Sequence, residues 1–368
     1  MEIADFTLER YFARWEFAVR HVLCASDVEP YRLPELLELA DDDARRRWET
    51  LSLGYTESAG LPALREEIAT LYDGITPDDV LTFAGAEEAV FLAMHATLGA
   101  GDHAVVAWPA YQSLYEVARS IGADVTLVPL SPADWSLDVD AVAAAIRPTT
   151  RIIVVNSPHS PTGAQLGSDQ LARLISIAEL HGLWLFSDEV YRFLEHDAPA
   201  LPPAASLSPR GLSLGVMSKA FGLAGLRIGW LAARDASLRA KLAALKDYTT
   251  ICSSAPSEVL SLVALRARER VIARSRRIVM ENLAKLDAFF AEHSDRLSWA
   301  RPRAGSVCFP RLAGADIDDF AATAVQREGV LLLPASQFGY PGNHFRLGYG
   351  RADMPQALDG LARHLRSN

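Results

Sequence analysis

Short runs of β-branched or aromatic residues alternate with longer amphipathic stretches between residues 80 and 235. Strands that alternate with helices in this way form βαβ units, which build a mainly parallel sheet. Helices are predicted at 87–98 and from an N-cap at Ser168 to a terminating Gly182. Strands are predicted at 80–83, 104–108, 125–128, 151–155, 183–186, 212–216 and 227–232. The pattern therefore predicts an α/β fold.

The pattern changes after Asp235, where long helical stretches give way to short strands and a last helix from Met354. Elements that stand apart from the parallel sheet indicate a second, smaller α+β domain. We predict a large domain over 46–285 and a small domain formed by 1–45 and 286–368. Helices are predicted at 11–19, 236–246 and 257–292, and strands at 306–309, 330–333 and 345–347.

Composition narrows the possible partners. The chain has 368 residues and a formal net charge of −10, which argues against a nucleic-acid partner. Cys24, Cys252 and Cys308 lie far apart, so neither a disulfide framework nor a metal site is predicted. No basic segment with an apolar core opens the chain, and no run of about 18 uncharged apolar residues occurs. We expect a cytoplasmic protein with no membrane partner.

Residues able to do chemistry follow the predicted strands, and each comes just beyond a strand's carboxyl end. They are Gly85, Tyr111, Asn156, Asp188 and Lys219. In open α/β sheets this edge is where ligands bind. We therefore expect these residues to meet in one crevice.

Lys219 lies in a glycine-rich and mostly apolar segment, 218–229, with Arg227 eight residues further on. An amine that loses hydration in such surroundings is a nucleophile able to form an imine with an aldehyde. A solvent-facing lysine on a loop is the alternative.

The segment 85–87 places backbone N–H groups at a helix N-terminus, where they face an anion well. A simple strand-to-helix turn explains the same glycine. Asp188 is suited to hold a proton on a pyridine nitrogen, and Tyr191 is suited to donate to a phenolate oxygen. A capping carboxylate and a core aromatic are their ordinary alternatives.

Four motifs, at 53–65, 156–163, 187–191 and 218–229, resemble those of the class I/II pyridoxal-phosphate aminotransferases of fold type I. Their order and spacing match over nearly the whole chain. The resemblance implies a large domain with a mainly parallel seven-stranded sheet sandwiched by helices, plus a smaller α+β domain. It also implies pyridoxal 5′-phosphate (PLP) as the cofactor.

The resemblance further implies roles around the cofactor ring. Lys219 forms the internal aldimine and carries the proton from the substrate Cα. Asp188 lies at the pyridinium nitrogen, where its charge keeps the ring protonated. Tyr191 bonds the 3′-oxygen, and Tyr111 stacks on the ring.

The phosphate and the substrate have their own residues in the resemblance. Arg227 and the amides of Gly85, Ala86 and Glu87 hold the phosphate. Tyr55 reaches the phosphate of the neighbouring subunit, which implies a homodimer with shared active sites. Arg346 grips the substrate carboxylate in a bidentate manner, unless it is a surface arginine on a late strand.

Two departures from the family pattern bear on the chemistry. Ser160 stands where an asparagine usually donates to the phenolate, in a loop that begins at Asn156. Val216 stands where a phosphate-binding serine is usual, so Ser218, or Ser213 further back, would have to compensate.

The turn at 24–30 carries two acids, Asp27 and Glu29, where the family has a glycine-rich loop. Either acid would pair with a cationic substrate side chain such as a guanidinium, although a solvated acidic turn is the alternative. The segments 213–219 and 302–311 look closer to cyclising enzymes of the capreomycidine synthase type, which act on a hydroxylated arginine, than to aspartate aminotransferases.

Transamination between an L-amino acid and a 2-oxo acid is the leading hypothesis. The alternative is a PLP-dependent lyase, cyclase or oxidase acting on an arginine-like amino acid in a biosynthetic pathway. A cofactor-sensing transcription regulator is a third hypothesis, but it needs a DNA-binding domain, and residues 1–45 hold no basic helix-turn-helix.

Overall fold

The computed structural model describes residues 2–197 and 199–367. Its helices, in chain order, are α1 Thr7–Trp15, α2 Leu33–Leu37, α3 Asp42–Glu49, α4 Pro62–Ala69, α5 Ala86–Thr97, α6 Ser113–Ile121, α7 Val139–Ala144, α8 Ser168–His181, α9 Ala204–Leu207, α10 Ala236–Lys246, α11 Ala255–Arg266, α12 Arg268–Glu292, α13 Ile317–Glu328 and α14 Met354–Ser367.

The strands, in chain order, are β1 His21–Val22, β2 Val80–Phe83, β3 His103–Trp108, β4 Asp124–Pro129, β5 Thr150–Asn156, β6 Trp184–Asp188, β7 Gly211–Val216, β8 Gly229–Ala233, β9 Leu297–Ser298, β10 Val307–Cys308, β11 Arg311–Leu312, β12 Val330–Leu331, β13 Leu333–Pro334 and β14 Phe345–Gly348.

Seven strands form the large sheet, in the order β2-β8-β7-β6-β5-β3-β4. Strand β8 is antiparallel to both of its neighbours, and the other pairs are parallel. The mainly parallel seven-stranded sheet is thereby confirmed. Because β8 is antiparallel, the residues that precede it lie at the edge of the sheet where the carboxyl ends of the parallel strands meet.

Both faces of the sheet are buried. In β5, Ile152 and Val154 belong to one hydrophobic cluster, while Ile153 and Val155 belong to the other. Helices α4, α5 and α6 contribute to the first cluster, and α7 and α8 to the second. This is why the strands read as nearly continuous hydrophobic runs, and it makes the edge of the sheet the place where polar groups can gather.

The predicted helix at 257–292 is wrong in its continuity. The structure has two helices, α11 and α12, separated at Ala267, whose φ of −95° and ψ of 18° leave the helical range. Glu67 pairs with Arg266 and Arg268 on either side of the break. The sequence carries no glycine or proline at 267, so its pattern could not place the break.

The ends of the chain come together outside the large sheet. Strand β1 pairs with β12, matching His21 with Val330, and β10, β14 and β13 form a small antiparallel sheet. The strands predicted near 307, 330 and 345 are confirmed, although they are shorter or divided. The predicted division at 46 and 285 stays a prediction. No helix in the described part of the chain is long and apolar enough to cross a bilayer.

Candidate active site

A cavity of about 600 Å³ opens at the carboxyl edge of the large sheet. Gly85, Glu29 and Tyr55 do not line it. The other predicted site residues do, namely Asp27, Ala86, Glu87, Tyr111, Asn156, Ser160, Asp188, Tyr191, Ser218, Lys219, Arg227 and Arg346. The prediction that the strand ends meet in one crevice is confirmed for Tyr111, Asn156, Asp188 and Lys219.

Lys219 follows β7 in a tight turn, where its carbonyl accepts from Gly222 N at 3.0 Å. Its half-buried side chain points into the cavity, with Nζ 5.4 Å from the centroid of the Tyr191 ring. Nζ donates to Ser26 Oγ at 2.8 Å. No carboxylate of the described residues forms an ion pair with this amine, so the amine is available to a ligand.

Asp188 ends β6 and is 7% exposed. Burial raises the pKa of its carboxyl from 3.8 to about 6, although the Val190 N–H and the Lys219 charge act in the opposite direction. Oδ1 accepts from Val190 N at 3.2 Å. A buried carboxylate with so little compensation is suited to a cationic partner in the cavity, such as a protonated ring nitrogen.

The anion-binding end of the cavity lies where α5 begins. Gly85 has φ +86°, and a β-carbon there would lie 2.8 Å from Arg227 Nη2. The Arg227 guanidinium bonds the Ala224 carbonyl at 3.2 Å and pairs with no carboxylate of the described residues. Burial raises the pKa of Glu87 to about 7, which reduces negative charge beside this arginine. A helix N-terminus and an unpaired arginine together favour a phosphate.

Ser213 does not compensate for Val216 at this end. Its hydroxyl donates to Glu189 Oε1 at 2.8 Å and accepts from Ala205 N at 3.0 Å, and the residue is fully buried. Val216 and Ser218 both line the cavity. Ser218 therefore stays the hydroxyl available near the phosphate end.

The amide of Asn156 is used within its own loop. Nδ2 donates to the carbonyls of Pro158 and Asp188 at 3.0 and 2.9 Å, and Oδ1 accepts from Ser160 N at 2.6 Å. Asn156 thus fixes the loop rather than offering a donor to a ligand. Ser160 presents a hydroxyl to the cavity in place of an amide.

Arg346 lies on β14 and is 2% exposed, which rules out a surface arginine. Its Nε donates to the Cys24 carbonyl at 3.1 Å, and its guanidinium carbon is 5.7 Å from the ring centroids of Phe12 and Phe338. No carboxylate of the described residues pairs with it. A buried, unpaired guanidinium is suited to a substrate carboxylate.

The acidic turn is not free to bind a cation in the way that the sequence indicates. Asp27 lines the cavity, but its carboxylate forms a two-point ion pair with Arg351 at 2.8 and 2.7 Å. Glu29 accepts from Ala352 N at 2.8 Å, away from the cavity. Tyr55 is 91% exposed, on the surface of the chain.

Helix α1 and the residue that follows it contribute acids that sequence reasoning missed. Glu9 and Glu16 line the cavity. Tyr111 donates to Glu9 Oε1 at 2.5 Å, and the Tyr111 ring lies 4.9 Å from that of Phe6. Burial raises the pKa of Glu16, and the charges of Asp27 and Glu9 add to this. The available signal was an aromatic-rich segment, 6–17, in which two acids lie seven residues apart.

Comparison with known proteins agrees with this geometry. The model of the family "aminotransferase class I and II" matches residues 33–363. Capreomycidine synthase of Streptomyces vinaceus is 31% identical over 98% of this chain and 91% of that protein.

Two solved structures share the fold over all of this chain. A PLP-dependent aminotransferase from Streptococcus suis has a TM-score of 0.94 at 30% identity, with 99% of that chain covered. The PLP-dependent cyclase OrfR has a TM-score of 0.91 at 30% identity, with 98% of that chain covered.

The residues of the cavity fit PLP. The tight approach of Gly85 to Arg227 leaves a cradle for the phosphate, Asp188 is a buried acid for the ring nitrogen, and Lys219 presents an amine for the aldehyde. With this donor set and a family match that spans most of its length, the chain belongs to the class I and II aminotransferases and uses pyridoxal 5′-phosphate.

Proposed function

We propose that the protein is an aminotransferase that acts on an L-amino acid with a cationic side chain and passes the amino group to a 2-oxo acid. The observation that carries the proposal is the placement of Lys219 in one cavity with Arg227 and Arg346, neither of which pairs with a carboxylate of the described residues. One cation serves the cofactor phosphate and the other the substrate carboxylate.

The chain's own residues have distinct tasks in this scheme. Bound PLP supplies an electron sink for the carbanion that forms at the substrate Cα. Arg227 and the N–H groups of 85–87 hold the phosphate, and Asp188 holds a proton on the ring nitrogen. Arg346 orients the substrate by its carboxylate, and the amine of Lys219 takes the Cα proton.

Glu9 and Glu16 support the choice of substrate class. Glu9 lines the cavity from α1 and Glu16 from the position directly after it, whereas the charge of Asp27 is already compensated by Arg351. The charge of Arg351 already opposes the repulsion among these acids at Glu16, and a guanidinium or ammonium group entering beside Glu16 would relieve it further. A neutral or acidic side chain would leave that repulsion in place.

Cyclisation or elimination on an arginine-like substrate is the second candidate. Ser160 and Val216 depart from the aminotransferase pattern within the cavity itself, and both a capreomycidine synthase and a PLP-dependent cyclase are similar over nearly the whole chain. In that reaction the substrate carbanion expels a group from its side chain, and the 2-oxo acid takes no part.

The two candidates are separated by their products. Purified protein loaded with PLP is incubated with arginine, hydroxylated arginine, lysine or aspartate, with and without a 2-oxo acid and oxygen. Transamination yields one new amino acid for each 2-oxo acid consumed. A cyclic product, ammonia or peroxide formed without the 2-oxo acid would reject it and favour the second candidate.

The substrate class is tested by Glu16→Gln and Glu9→Gln. We expect kcat/KM for the cationic amino acid to fall roughly tenfold in Glu16→Gln, because the ion pair between the substrate and this half-buried carboxylate is lost. A neutral amino acid of similar length should react no more slowly. Glu38→Gln, on the surface, is the control. Equal losses for cationic and neutral substrates would contradict the assignment.

We also propose a cytoplasmic homodimer with shared active sites. Leu53 and Tyr55 are 83% and 91% exposed, and Tyr248 and Ile251 are 91% and 49% exposed. The two segments are tied together by Thr56, whose hydroxyl donates to the Ser253 carbonyl at 3.2 Å. Large apolar side chains exposed on adjoining segments support a second copy of the chain as their cover.

A further inference from the structure

The hydroxyl of Ser26 contacts the amine of Lys219, although the two residues are 193 positions apart. Oγ lies 2.8 Å from Nζ, and both residues line the cavity. Among the described residues, Ser26 supplies the hydrogen-bond partner of this amine. The nearby Tyr111 hydroxyl is already committed to Glu9.

The backbone around Ser26 is held from several sides. The Ser26 carbonyl accepts from the buried Ser306 hydroxyl at 2.9 Å. The Ala25 carbonyl packs so closely on Gly348 that a β-carbon there would lie at 1.8 Å. Asp27 is fixed by its ion pair with Arg351. The backbone position from which the Ser26 hydroxyl reaches Lys219 is therefore set by the fold.

We propose that Ser26 is a positioning residue that holds the free amine of Lys219 towards the cavity. The proposal rests on the proposed function, in which this amine takes the Cα proton. A lysine amine lies at the end of a flexible side chain, so an amine without a hydrogen bond would adopt many orientations. One hydrogen bond to a fixed hydroxyl restricts that freedom and directs the nitrogen lone pair.

The hydrogen bond also serves the proton transfer itself. The Cα–H bond breaks, its proton joins Nζ, and the electron pair stays with the substrate. The ammonium that results needs an acceptor, and the hydroxyl oxygen has lone pairs for it. Ser26 does not contact the reacting carbon in this scheme, so it acts through Lys219.

The first test needs no amino acid. Cofactor-free protein is mixed with PLP, and imine formation is followed by visible absorption and fixed by borohydride. We expect Ser26→Ala to capture PLP about tenfold more slowly, with the adduct still at Lys219. Ser26→Thr should restore the rate, and the exposed Ser294→Ala should leave it unchanged. Ser26→Cys replaces the alanine variant if the latter does not fold.

The second test uses the loaded enzyme and its amino-acid substrate. In deuterated water, Ser26→Ala should exchange the α-hydrogen about tenfold more slowly, with KM unchanged and a larger isotope effect from α-deuterated substrate. Wild-type rates for Ser26→Ala in both tests would overturn the proposal, and so would a change confined to KM and thermal stability. If wild-type protein exchanges no amino acid, the proposed function fails, while PLP capture still decides the role of Ser26.

Discussion

At the scale of single residues, the chemistry depends on charges that the fold leaves without protein partners. Arg227 and Arg346 lack carboxylates among the described residues, and Asp188 lacks a cation in direct contact there. Asp188 and Arg346 are buried, and an isolated buried charge costs stability unless a ligand pairs with it. Arg227 is exposed and carries no such cost. The joint presence of all three in one cavity means that the cofactor and the substrate complete the electrostatics.

Asp188→Asn tests this cost in the cofactor-free protein. The folded-state pKa of Asp188 is raised from 3.8 to about 6, so the folded state binds this proton more tightly than the unfolded state. The resulting stability is present below pH 3.8 and is lost as pH rises towards 6. An asparagine at this position is neutral at every pH, whereas Asp188 is a buried charge above pH 6. We therefore expect the Asp188→Asn variant to be more stable than wild type above pH 6, by on the order of 2 kcal/mol.

Denaturant unfolding of both PLP-free proteins from pH 4 to pH 8 measures the difference in their free energies of unfolding. Because both proteins share every other titrating group, the difference reports on Asp188. With PLP bound, the same variant should lose catalytic activity, because no charge then keeps the ring nitrogen protonated. A stability difference that does not change with pH would show that Asp188 does not titrate in this range.

The sequence predicted correctly those site residues whose positions are set by the strands of the sheet alone. Asp188 ends β6 and Lys219 follows the neighbouring β7, so their meeting follows from the parallel pairing of these strands. Ser26 and Glu9 reach the cavity through contacts between distant parts of the chain, as the 193-residue separation of Ser26 from Lys219 shows. No local pattern encodes such contacts.

At the scale of elements, two features build the phosphate end. The antiparallel direction of β8 brings Arg227 to the edge of the sheet where α5 starts. The predicted strand at 227–232 is wrong at its beginning, because Arg227 has φ +52° and precedes β8. Gly85 has φ +86° and ψ −177°, a conformation that essentially only glycine adopts.

Gly85→Ala therefore combines backbone strain with a clash against Arg227. We expect stability to fall by about 1–3 kcal/mol, and PLP affinity to fall as well, because Arg227 must move. Gly101→Ala is the matched control, since Gly101 has φ +83° but a β-carbon there would meet no atom within 4 Å. Thermal unfolding and PLP titration of both variants separate the two effects. Equal PLP affinity in both variants would contradict the cradle.

Helix α1 shows why an element can be predicted while its role is not. The prediction at 11–19 found a helix, and the structure places it at Thr7–Trp15. Its position over the cavity depends on Tyr11, which donates to the Leu332 carbonyl at 3.0 Å, and on Thr7, which bonds Gln112 and Gln337. The amphipathic pattern indicates a buried face but not which surface covers it.

At the scale of the whole molecule, the fold and cofactor follow from four motifs, whereas the substrate does not. Three of the motifs, 156–163, 187–191 and 218–229, lie at the ends of strands of the large sheet, and the fourth, 53–65, precedes β2 and runs into α4. In these segments the local sequence determines the geometry. The part of the cavity proposed to receive the substrate is lined by residues from α1, from the segment around Ser26 and from β14, and only the assembled chain brings these together. The substrate therefore has to be argued from the cavity.

The proposed homodimer places part of each active site on the neighbouring chain. Tyr55 is 91% exposed and far too open to serve as a core residue, and Leu53, Tyr248 and Ile251 are exposed with it. If these residues meet a second copy, Tyr55 can reach that copy's phosphate. Sedimentation at micromolar concentration should then show a dimer.

Mixing two inactive variants tests whether sites are shared. Lys219→Ala lacks the amine, and Tyr55→Ala lacks the group offered to the neighbour. In a mixed dimer, the site that keeps Lys219 receives Tyr55 from the Lys219→Ala chain, so that site is complete. We expect activity to return when the variants are unfolded together and refolded, and to stay low when each is refolded alone. If Tyr55 served its own chain instead, both sites of the mixed dimer would be defective and mixing would recover nothing.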